Sequence, residues 1–310
     1  MTTEHFTFQG HGGKPLHGIL WCPEGETRQI LQLTHGMTEH IGCYESLAAY
    51  LCPNGIAVAG FDLRGHGKNT EDHSIATFGE KGWEASIEDM RCFFELLGER
   101  FPGVPRYIYG FSIGSFLLRE YLDRYPADLD GALIAGTGQQ PGWLLRIMAA
   151  IVNSQVRKVG FDGHTPLIRK LAFGVYNQKF NPVRTDMDWL CADEAQLDDY
   201  LADPLTCNNC SAGLFYQLLS AMMRQSSRDA CKNWNQNMPV LLLYGEQDPV
   251  GDFGKGVQAF HNQMCKAGIR NITSQKFPNA RHQILREESC GAAEQAKHAI
   301  LTWLLHNKGS

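Results

Sequence analysis

Eight short runs rich in β-branched, aromatic and leucine residues are spaced along this chain, most of them separated by segments of helical period. "HFTFQG" and "PLHGILWC" alternate across the turn-forming "HGGK", as an antiparallel pair does. The others are "ILQLTHG" (30–36), "GIAVAGFDLRG" (55–65), "RYIYG" (106–110), "GALIAG" (131–136), "MPVLLLYG" (238–245) and "NITSQKF" (271–277). They are short and β-rich, as strands buried on both faces are. Between them, "CYESLAAYLCPNG" puts Leu47, Tyr50 and Leu51 on one helical face and stops at Pro53 and Gly55. "GWEASIEDMRCFFELLGERF" spaces Ile87, Met90, Phe94 and Leu97 by three and four, and "SFLLREYLDRY" and "AAEQAKHAILTWLL" behave alike. Such alternation predicts an α/β fold, a mostly parallel sheet covered by helices on both faces.

The alternation lapses over residues 142–237, a stretch too long for a plain loop. "WLLRIMAAIV" (143–152) is almost continuously apolar, and a helical cap inserted over the C-terminal edge of the sheet is expected there. The core then comprises residues 1–141 and 238–310. Residues 142–185 carry seven Lys/Arg and one Asp, whereas 186–203 carry seven Asp/Glu and no Lys/Arg. These blocks predict two solvated faces that pair with each other. The sharper alternative is a basic, apolar surface that makes peripheral contact with lipid.

Charge excludes one class of partner. A net charge of −5 offers no basic footprint for nucleic acid. The first residues are polar, without the pattern of a secretory signal, and no apolar run reaches the ~18 residues of a membrane span. The ten scattered cysteines are therefore expected to be free thiols in a reducing cytoplasm, with Cys207 and Cys210 read as packing residues. No residues show metal-ligand spacing and no G-x-G-x-x-G follows the first strand, so neither metal nor other cofactor is expected. Oligomeric state is left open.

Chemistry enters at "GFSIG" (110–114), between a strand and a helix. A turn that lifts the Ser112 oxygen above the sheet crowds its neighbours, and Gly110 and Gly114 remove the offending Cβ atoms. A serine needs a base and oxyanion donors to act as a nucleophile. On this architecture an acid and then a histidine follow the serine in the chain. Asp248, directly past a strand in "LLLYGEQDPV", and His282, past the last strand in "FPNARHQIL", fill that order. Asp252 is the weaker choice of acid because it lies farther from the strand end. The backbone N–H groups of Met37, in "THGMTEH", and of Ile113 are the expected oxyanion donors. His35 and His66 also follow strands but precede the serine, and bracing roles are expected for both.

Together these residues resemble the α/β-hydrolase family and, within it, the monoacylglycerol lipase and lysophospholipase group, classed with serine aminopeptidase-like hydrolases. The similar segments are "HGMTEHIGCYESLA", "FDLRGHGKN", "GFSIGS", "YGEQDPVGD", "PNARHQILRE" and, within the insertion, "RTDMDWLCADEAQLDDYLADPLTC". The resemblance spans nearly the whole chain. It implies an eight-stranded, mostly parallel sheet with a helical cap, and a serine hydrolase that cleaves a monoacylglycerol- or lysophospholipid-type ester through an acyl-enzyme. Glu39 and His40 match the group's H-G-x-G-E-H segment, which implies a headgroup contact for Glu39. Cys43, however, stands where the group has Arg. Phe111 and Ile113 replace a commoner His and Met. Trp143, Leu144, Ile147 and Met148 are expected to line an acyl site or to pack cap against core. Two alternatives stay open. A peptidase would use Asp193-Glu194 or Asp198-Asp199 to hold an α-amine, and a silent binding protein would keep the pocket without needing the triad.

Overall fold

The computed structural model describes residues 1–307. Strands β1 (Thr2–Gln9) and β2 (Pro15–Cys22) pair antiparallel across a turn in which Gly12 and Gly13 both take positive φ. There follow β3 (Gln29–Thr34), α1 (Glu45–Leu51), β4 (Ile56–Phe61), the two-residue β5 (Ile75–Ala76), α2 (Gly82–Arg100), β6 (Arg106–Phe111), α3 (Ile113–Arg124) and β7 (Gly131–Ala135). The chain then runs through α4 (Gly142–Val159), α5 (Pro166–Arg169), α6 (Glu194–Ala202), β8 (Asn209–Cys210) and α7 (Ala212–Gln225). It closes with β9 (Val240–Gly245), α8 (Lys255–Ala267), β10 (Ile272–Phe277) and α9 (Ala292–His306).

Eight strands form one sheet in the order β1-β2-β4-β3-β6-β7-β9-β10, and only β2 runs against its neighbours. All eight expected strands are present. Period-two alternation sorts their side chains onto two layers. Ile30, Ile108 and Leu242 meet Met90, Leu117 and Phe260 from α2, α3 and α8. Leu31, Tyr109 and Leu241 meet Leu47, Ile300 and Leu304 from α1 and α9 on the opposite face. Each such side chain is essentially removed from water, worth roughly 1.5–3 kcal/mol apiece.

Three elements were not foreseen, α8 and the two short strands β5 and β8. Helix α8 follows the acid-bearing loop, and its buried stripe Val257, Phe260, Met264 has the spacing that marks a helix. Strand β8 lies in the stretch where no strand was expected. It pairs with β5 over two residues only, Ile75 with Asn209 and Ala76 with Cys210, too short to leave a sequence signal. Within the same stretch α4 packs on α7, and α7 packs on α2 and α3. The two charge blocks pair with each other, Arg169 to Asp186 at 3.1 Å and Arg184 to Asp198 at 2.7 Å. Among the described residues no helix is long and apolar enough to cross a membrane.

Candidate active site

Ser112 joins β6 to α3 with φ 51° and ψ −120°, a conformation an L-residue holds only under compulsion. The compulsion comes from the two glycines. A Cβ at Gly110 would lie 2.5 Å from the Gly114 carbonyl oxygen, and one at Gly114 would lie 2.2 Å from that of Thr34 on β3. Strand and helix therefore approach until only hydrogen fits between them, and the serine is left partly exposed at the turn.

The loops after β9 and β10 deliver the partners. Asp248 and His282 are almost wholly buried. His282 Nδ1 lies 3.0 Å from each Asp248 carboxylate oxygen, and its Nε2 lies 2.9 Å from Ser112 Oγ. A carboxylate can only accept, so Nδ1 carries the proton and Nε2 accepts from the serine hydroxyl. Asp248 Oδ1 also accepts from the Val250 amide at 2.8 Å. Ser112, His282 and Asp248 thus form one hydrogen-bonded chain, and Asp252 stands outside it.

The Met37 and Ile113 amides donate to no protein acceptor among the described residues. Free N–H groups are what an oxyanion site requires, and the Ile113 amide directly follows the serine. Behind Met37, His35 bridges the Gly36 carbonyl, at 2.8 Å, and the Leu63 amide, at 2.9 Å. His66 lies against it, its Nδ1 2.8 Å from the Arg64 carbonyl. Burial lowers the pKa of His35 to about 3 and that of His66 to about 4, so both brace the segment as neutral rings.

Glu39 and the four apolar candidates lie in different surroundings. Glu39 is 2% exposed and turns inward. Its Oε1 accepts from the Gly36 amide at 2.5 Å and from Tyr44 Oη at 2.6 Å, and its Oε2 from Gln283 Nε2 at 2.7 Å. It clamps two loops together and borders a small cavity with Cys43 and Gln283. Trp143 and Ile147 face outward, 64% and 52% exposed, because Leu145, Ala149 and Val152 take the buried face of α4. Leu144 and Met148 are half-buried beside them.

Other contacts escaped the sequence reading. The Trp189 ring packs 5.2 Å from His282, and the Tyr176 ring packs 4.8 Å from Trp189. Phe111 packs 4.8 Å from the same imidazole. Buried Glu287 accepts from the Arg281 and Ala192 amides, tying the histidine loop to the insertion. Gln283, adjacent to His282, and Trp189, within "TDMDWLC", carried no spacing signal that distinguished them from packing residues.

An eight-stranded sheet with a serine on a strained strand–helix turn, an acid after β9 and a histidine after β10 defines an α/β-hydrolase. The chain belongs to the family described as serine aminopeptidase, S33, which matches residues 25–289. It is 25% identical over 260 residues to a monoacylglycerol lipase of Mycolicibacterium smegmatis, covering 80% of each chain. It is 23% identical over 299 residues to a monoglyceride lipase of Rattus norvegicus, covering 95% of this chain and 88% of that one. Among solved structures, a thermostable carboxyl esterase from Bacillus coagulans, in complex with glycerol, superposes with a TM-score of 0.87. That pair is 21% identical over 99% of both chains.

Proposed function

We propose that this chain is a serine ester hydrolase that cleaves a monoacylglycerol- or lysophospholipid-type ester through an acyl-enzyme. One observation carries the reading: the unbroken hydrogen-bond chain from Ser112 through His282 to Asp248. Ser112 Oγ attacks the acyl carbonyl while His282 Nε2 takes its proton. Asp248 holds the imidazole in the Nδ1–H form and balances the imidazolium that results. The Met37 and Ile113 amides receive the oxyanion. His282 returns the proton to the leaving alcohol, and water repeats the sequence on the acyl-enzyme.

The lipase names of two relatives support a lipid ester as substrate. We read residues 142–237 as a cap whose outward apolar stripe, Trp143, Ile147 and Ile151 on α4, meets lipid. The peptidase alternative is less well supported by its acidic pairs. Asp193 caps α6 and accepts from the Ser289 amide, and Asp198 pairs with Arg184.

The test is hydrolysis of a panel of monoacylglycerols, lysophospholipids, short p-nitrophenyl esters and aminoacyl amides by the parent and by Ser112→Ala. Turnover of long-chain esters, lowered by roughly 10⁴-fold or more in the variant, is expected. Activity confined to aminoacyl amides would move the assignment to a peptidase. No turnover by either protein would leave a binding protein.

A further inference from the structure

His282 is held at its two ring nitrogens, Nδ1 by Asp248 at 3.0 Å and Nε2 by Ser112 Oγ at 2.9 Å. Two such bonds fix the ends of the ring but leave it free to rock about the line between them. Packing has to stop that motion. Three groups stand against the imidazole. The Phe111 and Trp189 rings lie 4.8 Å and 5.2 Å away, tilted by 40° and 41°. The third is the backbone of Gly136, where a Cβ would lie 2.9 Å from His282 Cε1. Phe111 ends β6 and Gly136 follows β7, so both belong to the core. Of the three, only Trp189 comes from the insertion.

Trp189 is itself firmly placed. It is 5% exposed, its amide donates to Asn177 Oδ1 at 2.8 Å, and the Phe173 ring lies 6.4 Å away, nearly parallel. Its indole N–H is buried and meets no acceptor among the described residues, so packing orients the ring. The segment around it is laced to the histidine loop. The Gln283 amide donates to the Leu190 carbonyl at 2.8 Å, and the Arg281 guanidinium donates to the carbonyls of Asp188 and Cys191. Glu287 Oε1 accepts from the Arg281 amide at 2.7 Å and from the Ala192 amide at 3.0 Å. Beyond it, the Ser289 amide donates to Asp193 Oδ2 at 2.9 Å. Residues 188–193 and 281–289 are thus one seam, and Trp189 cannot leave His282 unless that run of bonds breaks.

We propose that Trp189 is a positioning residue for His282, a wall supplied by the insertion that stops the imidazole from rocking and keeps its Nε2 on the Ser112 hydroxyl. The same restraint serves the second half of the reaction, when Nε2 must return the proton to the leaving alcohol. Without the indole, space opens beside the imidazole and Nε2 spends less of its time aligned. Proton transfer then slows, whereas affinity for the ester, which this role does not involve, stays. The effect on rate rests on the ester-hydrolase reading. The hold on the imidazole does not.

The experiment compares the full-length parent with Trp189→Ala and Trp189→Phe. Hydrolysis of a short p-nitrophenyl ester gives kcat and KM, and labelling to completion with a fluorophosphonate counts the competent sites. Carbethoxylation of each histidine by diethyl pyrocarbonate is followed by peptide mass spectrometry. In Trp189→Ala, kcat per labelled site should fall about 10²-fold while KM stays close to the parent's. His282 should be carbethoxylated several-fold faster than in the parent, while the exposed His298 on α9 reacts as before. Trp189→Phe keeps an aromatic ring without the N–H, and should recover most of the rate and of the protection. An unchanged kcat per site in Trp189→Ala overturns the proposal, as does a loss of rate wholly matched by a loss of labelled sites. A raised KM with kcat kept would make Trp189 a substrate contact instead. Trp189→Phe as slow as Trp189→Ala would place the effect in the indole N–H and not in the ring. If the parent neither hydrolyses ester nor takes the label, the hydrolase reading fails. Carbethoxylation then decides alone: faster reaction of His282 in Trp189→Ala upholds the hold on the imidazole, and an unchanged rate removes it.

Discussion

At Asp248 a single oxygen-to-nitrogen change tests the site without altering its shape. An asparagine there can donate to His282 Nδ1, which would force the proton onto Nε2 and leave Ser112 without an acceptor. Asp248→Asn is expected to lower ester hydrolysis by about 10⁴-fold while the far-ultraviolet circular dichroism stays that of the parent. Glu39 makes a different prediction, because its contacts are internal. Removing its carboxylate leaves the Gly36 amide, the Tyr44 hydroxyl and the Gln283 amide buried without a partner. Glu39→Ala should cost on the order of 3 kcal/mol in urea denaturation. The residue types of the serine–histidine–acid chain were legible from their order past successive strands. The inward turn of Glu39 was not, since its partners Tyr44 and Gln283 are brought to it from separate elements.

At the scale of elements, the approach of α3 to β3 sets how far the serine stands above the sheet. Gly114 faces backbone oxygens of Thr34 and His35, which cannot rotate away as a side chain would. Gly114→Ala should therefore destabilise the protein by about 3 kcal/mol or more, read as a fall in Tm or loss of soluble folded protein. Gly142→Ala is the control, because nothing lies within 4 Å of the Cβ it would add. Its Tm should stay close to the parent's. Strands buried on both faces were easy to read because their composition answers to burial alone. Helix α8 carried an adequate stripe in Val257, Phe260 and Met264 that went unread. Strand β8 carried no signal, because two residues paired with β5 need only a free backbone and a neighbour.

For the whole molecule, three histidines set opposite limits on stability. His35 and His66 have folded pKa values lowered from 6.5, mainly by burial, to about 3 and about 4. The unfolded chain binds protons there first, so their contribution is complete above pH 6.5 and is lost as pH falls towards about 3. His40 is raised to about 9, so its contribution is complete below pH 6.5 and is lost as pH rises through about 9. Thermal denaturation across this range should give a highest Tm near pH 6.5 with a fall on both sides, and His40→Gln should flatten the alkaline limb. A fall that persists unchanged in the variant would remove His40 as its source.

What the amino-acid sequence determined by itself was whatever depends on local pattern and chain order. The buried strands, the amphipathic helices and the glycine-flanked serine all follow from side-chain period and from the space a Cβ needs. The order serine, acid, histidine follows from which strand ends precede them. Only the tertiary structure decided the contacts between segments far apart in the chain. Trp189 over His282, Gln283 on Glu39, and Arg286 and Asp203 around Cys43 and His40 are of this kind. Those contacts depend on how loops converge at one edge of the sheet, where neither hydrophobic period nor spacing constrains the side chains that meet.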